Sequence, residues 1–288
     1  MNHQGQDRKI FKKLLRLLDK QKISAISPDQ LIIEIGKFFL GTPYVTNTLE
    51  TKKPEHLVVN LREYDCVTFV ENVVALVRLL KSRQKSFKAF EIFLEKIRYR
   101  RGRLQGYPSR LHYFSDWIQD NHKKGVVRDV TAEIGGRSFR KALTFMTTHP
   151  DLYPPLNNST NLRRMKTVEK RISKKPLSFI PKKTLRRLED RIRDGDLIAI
   201  TTNTESLDVQ HVGLAVRVKN RMHLLHASSQ EGKVVLSQKT LYRYLMQSKI
   251  RSGIMVARIC YSERQKKVVI ARSEATWQSH EIASLHSQ

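Results

Sequence analysis

The sequence predicts an α+β fold. Helical spacing of apolar residues dominates as far as about Asp194, and from Gly195 onward it gives way to short alternating runs separated by turn residues. Runs of helices followed by runs of strands argue for helices packed on an antiparallel sheet rather than an alternating parallel one. A third observation is a long apolar helix opening at Asp65-Cys66, around which the rest can pack.

Taken in order, Arg8 to Lys20 places Ile10, Phe11, Leu14, Leu15, Leu17 and Leu18 at near-helical spacing among basic residues. This predicts an amphipathic helix docked on the body, with a membrane-surface role as the rival use of its basic face. Ser27-Pro28-Asp29-Gln30 starts a second helix, with Ser as N-cap, Pro in the first turn and Gln three residues on. Gly41 is expected to cap its C-terminus, and Pro43 then holds Tyr44 on a loop or short strand.

Asp65 is a good N-cap for the next helix, because its carboxylate can accept an unpaired backbone N–H. Cys66 would sit in the first turn, where the helix dipole favours a thiolate. The stripe Val67, Val70, Val73, Val74, Val77 and Leu80 buries the rod behind it. Ser86 to Arg98 is helical again, and a further helix is expected from about Arg110 to Asn121. Arg110, His112, Tyr113 and Trp117 concentrate there, divided evenly between a ligand surface and a buried aromatic cluster. Pro150 to Lys183 carries five prolines and many cations. It reads as an extended excursion or lid, followed by a short helix near Lys182 to Ile192.

Five strands follow, over Asp196–Thr201, His211–Val218, Met222–Ala227, Lys233–Leu236 and Ile254–Ile259. The layout is an N-terminal basic helix (1–27), one domain (28–261) with an insertion at about 82–193, and a tail (262–288). The tail lacks periodicity and is expected to be disordered.

The formal charge of +27 favours polyanions without choosing among them. No zinc-finger spacing, aromatic RNA-binding motif or basic heptad region accompanies it, so no specific nucleic acid is expected. Two cysteines make neither a disulfide framework nor a structural zinc site. No run is long and apolar enough for a transmembrane segment, and the charged N-terminus lacks the core of a signal peptide.

The chemistry gathers on the second strand. A two-residue turn at Lys219-Asn220 would pair His211 with Ser228 and Gly213 with His226, putting both histidines on one sheet face. His223 would point the other way. A cysteine at a helix start with His211 as base and His226 as its orienter makes an acyl-transfer site. Alone, Cys66 is more readily a small buried hydrophobe, as most free cysteines are, and a His211–His223–His226 metal site is the weaker alternative.

With these residues in hand, the chain resembles the NlpC/p60 group of papain-like cell-wall peptidases and amidases. Gly41-Thr42-Pro43-Tyr44 is similar to its G-x-P-Y stretch, Asp65-Cys66 to its D-C pair, His211-Val212-Gly213 to its H-V-G strand and Leu225-His226-Ala227-Ser228 to its second histidine strand. Val67 stands where small members usually have Ser, and the interval from Cys66 to His211 is long. Both departures, with Asp65 to Glu71 and Arg110-Leu111-His112-Tyr113, resemble the N-acetylmuramoyl-L-alanine amidase-like branch. The resemblance implies a papain-like core with a large, mostly helical insertion. It also implies cleavage of the muramoyl-lactyl–L-Ala amide of peptidoglycan fragments, including anhydro-muropeptides. Cys66 is then the nucleophile, His211 the base and His226 the third member, with Ser228 the lesser candidate. Tyr44 and Tyr64 are expected near the oxyanion or substrate, and Arg110, His112, Tyr113 and Trp117 on the substrate wall. Neither metal nor cofactor is expected. The rivals are an endopeptidase cutting between D-Glu and the diamino acid, and a non-enzymatic basic polyanion-binding protein. The resemblance places the protein in the periplasm or cell envelope; the missing signal peptide makes the cytoplasm the alternative.

Overall fold

The computed structural model describes residues 3–20, 26–50 and 54–261. Helix α1 (His3–Lys20) buries Phe11, Leu14 and Leu18 and turns Lys9, Lys12 and Lys13 outward. Its buried Asp7 accepts the Leu61 N–H and pairs with Arg62, which ties the helix to the body. Helix α2 (Pro28–Phe38) starts as expected, with the Ser27 hydroxyl accepting the Gln30 N–H. It ends at Phe38 rather than at the glycine. Gly41 lies in the turn beyond, at φ 82°, and its N–H bonds the Val234 carbonyl. The glycine therefore aims the chain at the sheet instead of closing the helix.

Helix α3 (Cys66–Lys81) is buried from Thr68 to Val77, on all sides rather than along a stripe. Helices α4 (Phe87–Arg98) and α5 (Phe114–Lys123) pack beside it, α4 opening on a Ser86 cap. The expected start of α5 at Arg110 is displaced to Phe114 because Arg110 is held extended in a bridge to Tyr99. Then come β1 (Val127–Asp129), α6 (Thr131–Ile134), β2 (Arg137–Phe139), α7 (Phe145–Thr148), α8 (Ser159–Ser173), β3 (Leu177–Pro181) and α9 (Leu185–Leu188).

The excursion expected at 150–183 is thus a 15-residue helix followed by a strand. Asn158 caps α8, and Met165, Glu169 and Ile172 are buried on its inner face. Its stripe is narrow, and the surrounding cations hide it. Strand β3 pairs with β8 (Arg251–Ile259), and so does β1, so the insertion completes the main sheet rather than standing outside it.

The remaining strands are β4 (Leu197–Thr202), β5 (Val209–Val218), β6 (Arg221–Ser228) and β7 (Lys233–Thr240), with α10 (Leu241–Met246) between β7 and β8. The antiparallel sheet runs β2-β3-β8-β4-β5-β6-β7, with β1 also on β8. Lys219 and Asn220 both take positive φ, the twist a two-residue hairpin needs. The register is the expected one, with Leu214 opposite Leu225 and Val216 opposite His223. One face of the sheet carries α2 and α3 through β5 and β6. The other is filled by a second apolar cluster that includes Ile198, Leu224, Leu241 and Ile254. The 262–288 tail lies outside the described residues.

Candidate active site

The first turn of α3 is braced from several directions. Asp65 Oδ1 accepts the Thr68 N–H at 2.7 Å, and Thr68 Oγ1 accepts the Asp65 N–H at 3.0 Å. The Thr48 hydroxyl donates to the second carboxylate oxygen, and Asn72 holds the Thr68 carbonyl. Cys66 is thereby fixed with its sulfur toward the Val212 N–H on β5, beside N–H groups of its own turn. Those donors favour a thiolate, yet burial dominates and, with the neighbouring Asp65 carboxylate, pushes the thiol up to about 12. This reverses the expected sign: the dipole of a helix end is worth less than the desolvation of the sulfur.

Next to Val212 on the same strand, His211 projects toward β6. Its Nε2 lies 2.6 Å from Nδ1 of His226, with the two rings edge-to-face. Gly213 makes this pairing possible, since a Cβ there would fall 2.9 Å from the His226 Cβ. Burial lowers His211 to about 3, with smaller contributions from His226 and Arg251. His226 is lowered to about 4 by burial and then Arg251. Both rings are therefore neutral at physiological pH. Only one proton fits between Nε2 and Nδ1. If it sits on His211, the Nδ1 of that ring is an unprotonated base and His226 carries its own proton on Nε2.

A residue outside the sequence-based set completes this wall. The Tyr244 ring of α10 lies 5.5 Å from His226 and 6.3 Å from His211, and its hydroxyl is held protonated by burial and by the nearby Cys66. Arg251 stacks over the Tyr244 ring at 4.0 Å and donates to the Tyr244 carbonyl. No local pattern marks Tyr244, because only the return of α10 between β7 and β8 brings it there.

Tyr44 also lies near Cys66. Its N–H bonds the Gly232 carbonyl, and Pro43 and Val45 bridge to the Tyr64 backbone. The phenol is pushed up to about 12 by burial and then by its neighbours Cys66 and Asp65, so it remains a donor. Tyr64 itself is a wholly buried core residue, packed edge-on against Phe39 and Phe69. Its backbone positions Tyr44, while its side chain faces no cleft. Ser228 accepts the Glu231 N–H within its own turn, and among the described residues His211 has His226 as its hydrogen-bonded partner. His223 bonds the Ser237 carbonyl, away from the pair.

The expected substrate wall is a buried network instead. Trp117 is fully inaccessible and donates to Glu71, whose other oxygen pairs with the equally buried Arg98 at 2.6 Å. Tyr113 donates to Glu169, and His112 bonds the Tyr107 carbonyl. The Arg110 guanidinium is occupied by Glu50 at 2.6 Å and Glu55 at 3.5 Å, so it is not free for a substrate carboxylate. The even division between ligand surface and buried cluster is decided by these internal partners, which come from elements far apart in the chain.

A family model described as N-acetylmuramoyl-L-alanine amidase-like matches residues 34–254, and the chain belongs to that family. It is accordingly an amidase-type hydrolase of carbon–nitrogen bonds. Among solved structures it is similar to an N-acetylmuramoyl-L-alanine amidase from Bacteroides uniformis, 41% identical, with a TM-score of 0.77 and coverage of 81% of this chain and 98% of that one. A Bacteroides fragilis protein whose provisional name is xylanase is 42% identical, with a TM-score of 0.74 over 78% of this chain and 99% of that one. A Legionella pneumophila protein shares the fold at 21% identity and a TM-score of 0.67, over 90% and 97% of the two chains. No curated protein matches the chain.

Proposed function

We propose that this chain is a cysteine amidase that hydrolyses the N-acetylmuramoyl-L-alanine amide of peptidoglycan fragments through Cys66, His211 and His226. The observation that carries the reading is the meeting of the Cys66 helix start with the strand that bears the 2.6 Å histidine pair. The same meeting supports a papain-like core of the NlpC/p60 kind within a single domain over 28–261.

Because thiol and imidazole are both neutral at rest, the proton moves as the bond forms. His211 Nδ1 takes the thiol proton while the sulfur attacks the lactyl carbonyl carbon. Negative charge gathers on the carbonyl oxygen, where the Cys66 N–H and the Tyr44 hydroxyl are placed to donate. The tetrahedral intermediate collapses to a thioester as His211 returns the proton to the departing L-Ala amine. A water deprotonated by His211 then attacks the thioester, releasing the muramoyl carboxylate and the thiol. His226 accepts the His211 Nε2 proton in a hydrogen bond throughout, fixing the tautomer that leaves Nδ1 free. The substrate places the action at the cell envelope, or in the cytoplasm on recovered anhydro-muropeptides. Among the described residues no helix is long and apolar enough to cross a membrane.

Feeding the purified protein a defined anhydro-muropeptide tests the reading. Free sugar and intact peptide are the expected products, with none from a folded Cys66→Ala variant. Sugar still joined to a shortened peptide would assign the endopeptidase bond instead. Undiminished activity of Cys66→Ala would remove the nucleophile.

A further inference from the structure

Arg251 departs from the pattern of three other enclosed arginines. Arg98, Arg110 and Arg258 each meet a carboxylate, at 2.6, 2.6 and 2.8 Å. Among the described residues Arg251 has no carboxylate partner, and its Nε is buried without a hydrogen bond. Its side chain instead holds Tyr244 twice, lying 4.0 Å from the ring centroid and donating to the Tyr244 carbonyl. An uncompensated cation inside a fold is destabilising, so its place here needs a reason other than stability.

The backbone is shaped for this contact. Strands β4 and β8 shift register between Thr201 and Thr202, and Thr202 is the residue opposite Arg251. A bulge of this kind re-aims the side chain beside it. Tyr244 in turn packs on both imidazoles, edge-to-face on His226 at 5.5 Å and tilted on His211 at 6.3 Å. His226 and Tyr244 together line a groove of about 350 Å³ at the β7 edge, yet His226 is only 2% exposed.

We propose that Arg251 and Tyr244 work as one positioning unit for His211 and His226, the guanidinium clamping the phenol ring against the imidazoles. Neither takes a proton-transfer step; both act through the pair, and their bearing on catalysis rests on the amidase reading of Cys66. Two effects follow. The ring keeps water from the imidazoles, and the unpaired charge repels a proton arriving on either of them. The other titratable groups around the pair are Cys66 on α3 and, across the groove, Glu231, Lys233 and Lys239. Burial comes first in lowering both histidines, and Arg251 acts on each of them as well. The pair thus stays a neutral base in acid surroundings where an ordinary histidine is charged.

The test follows the two imidazoles by NMR titration in the Cys66→Ala protein, which needs no turnover. Arg251→Met should raise the proton affinity of both histidines roughly tenfold, the direction expected when a nearby like charge is removed. Arg251→Lys keeps the charge and should recover at least half of that shift. Tyr244→Phe keeps the ring and should titrate like the parent, whereas Tyr244→Ala should raise both histidines with Arg251 still present. Histidines unmoved by Arg251→Met, or a Tyr244→Ala variant that titrates like Tyr244→Phe, would overturn the unit. If Arg251→Met does not fold, the two Tyr244 variants decide the matter by themselves. Turnover of a muropeptide is measured separately with Cys66 in place, and the acid limb of kcat/KM in Arg251→Met should move to higher pH with the imidazoles. Absence of any turnover in the wild-type protein would sink the amidase reading, whereas the positioning unit stands or falls on the titrations.

Discussion

Glu71 lies five residues into the helix that presents Cys66, and it is 2% exposed. One oxygen pairs with Arg98 at 2.6 Å and the other accepts the Trp117 indole N–H at 3.1 Å. Arg98 is 1% exposed, and its recorded partner besides Glu71 is the Val58 carbonyl. Glu71→Gln would keep an acceptor for Trp117 but leave the guanidinium charge buried without a counter-charge. Breaking a buried pair from one side costs about 3–5 kcal/mol, against a total stability of about 5–15 kcal/mol. For a chain of this size that corresponds to a melting temperature lower by roughly 6–15 °C. Urea titration with a slope checked against the parent would measure it. The double variant Glu71→Gln, Arg98→Met removes the stranded charge and should recover most of the loss, since an apolar replacement of a whole buried pair is often neutral. A single-variant loss below about 1 kcal/mol, or a double variant no better than the single, would refute this account of why a carboxylate belongs in an otherwise apolar helix.

Three further outcomes follow from the site. Cys66 held up to about 12 should react slowly with iodoacetamide at pH 7 and accelerate only in alkaline solution; rapid alkylation at neutral pH would show that the helix end outweighs burial. His211 and His226 have folded values near 3 and 4, below the unfolded value of about 6.5, so the unfolded chain takes up protons first as pH falls. Stability is then full above about pH 6.5 and declines below it, by roughly 2 kcal/mol at pH 5 for His226 alone, and a urea midpoint flat between pH 7 and 5 would contradict the neutral pair. Asp65→Ala removes both the cap of α3 and the Thr48 contact, and it should cost about 1–2 kcal/mol in thermal unfolding with a larger fractional fall in turnover than in substrate affinity.

The amino-acid order by itself determined the parts whose causes are local. Ser27, Asp65 and Ser86 cap helices because a short polar side chain reaches an N–H three residues away. Lys219-Asn220 sets the hairpin register, and with it the shared face of His211 and His226, because strand side chains alternate with period two. Helix α8 was equally local in origin, and Leu162, Met165, Val168 and Ile172 carry its period, but their cationic neighbours masked the stripe. Tertiary structure alone decided the rest. Arg110, Tyr113 and Trp117 are inside because Glu50, Glu71 and Glu169 arrive from distant elements to satisfy them. Tyr244 joins the histidines only because α10 folds back against the sheet. The sign of the Cys66 shift turned in the same way. A helix dipole can be read from a cap residue, but the desolvation that overrules it depends on what β5 lays over the sulfur, and no short stretch of sequence encodes that.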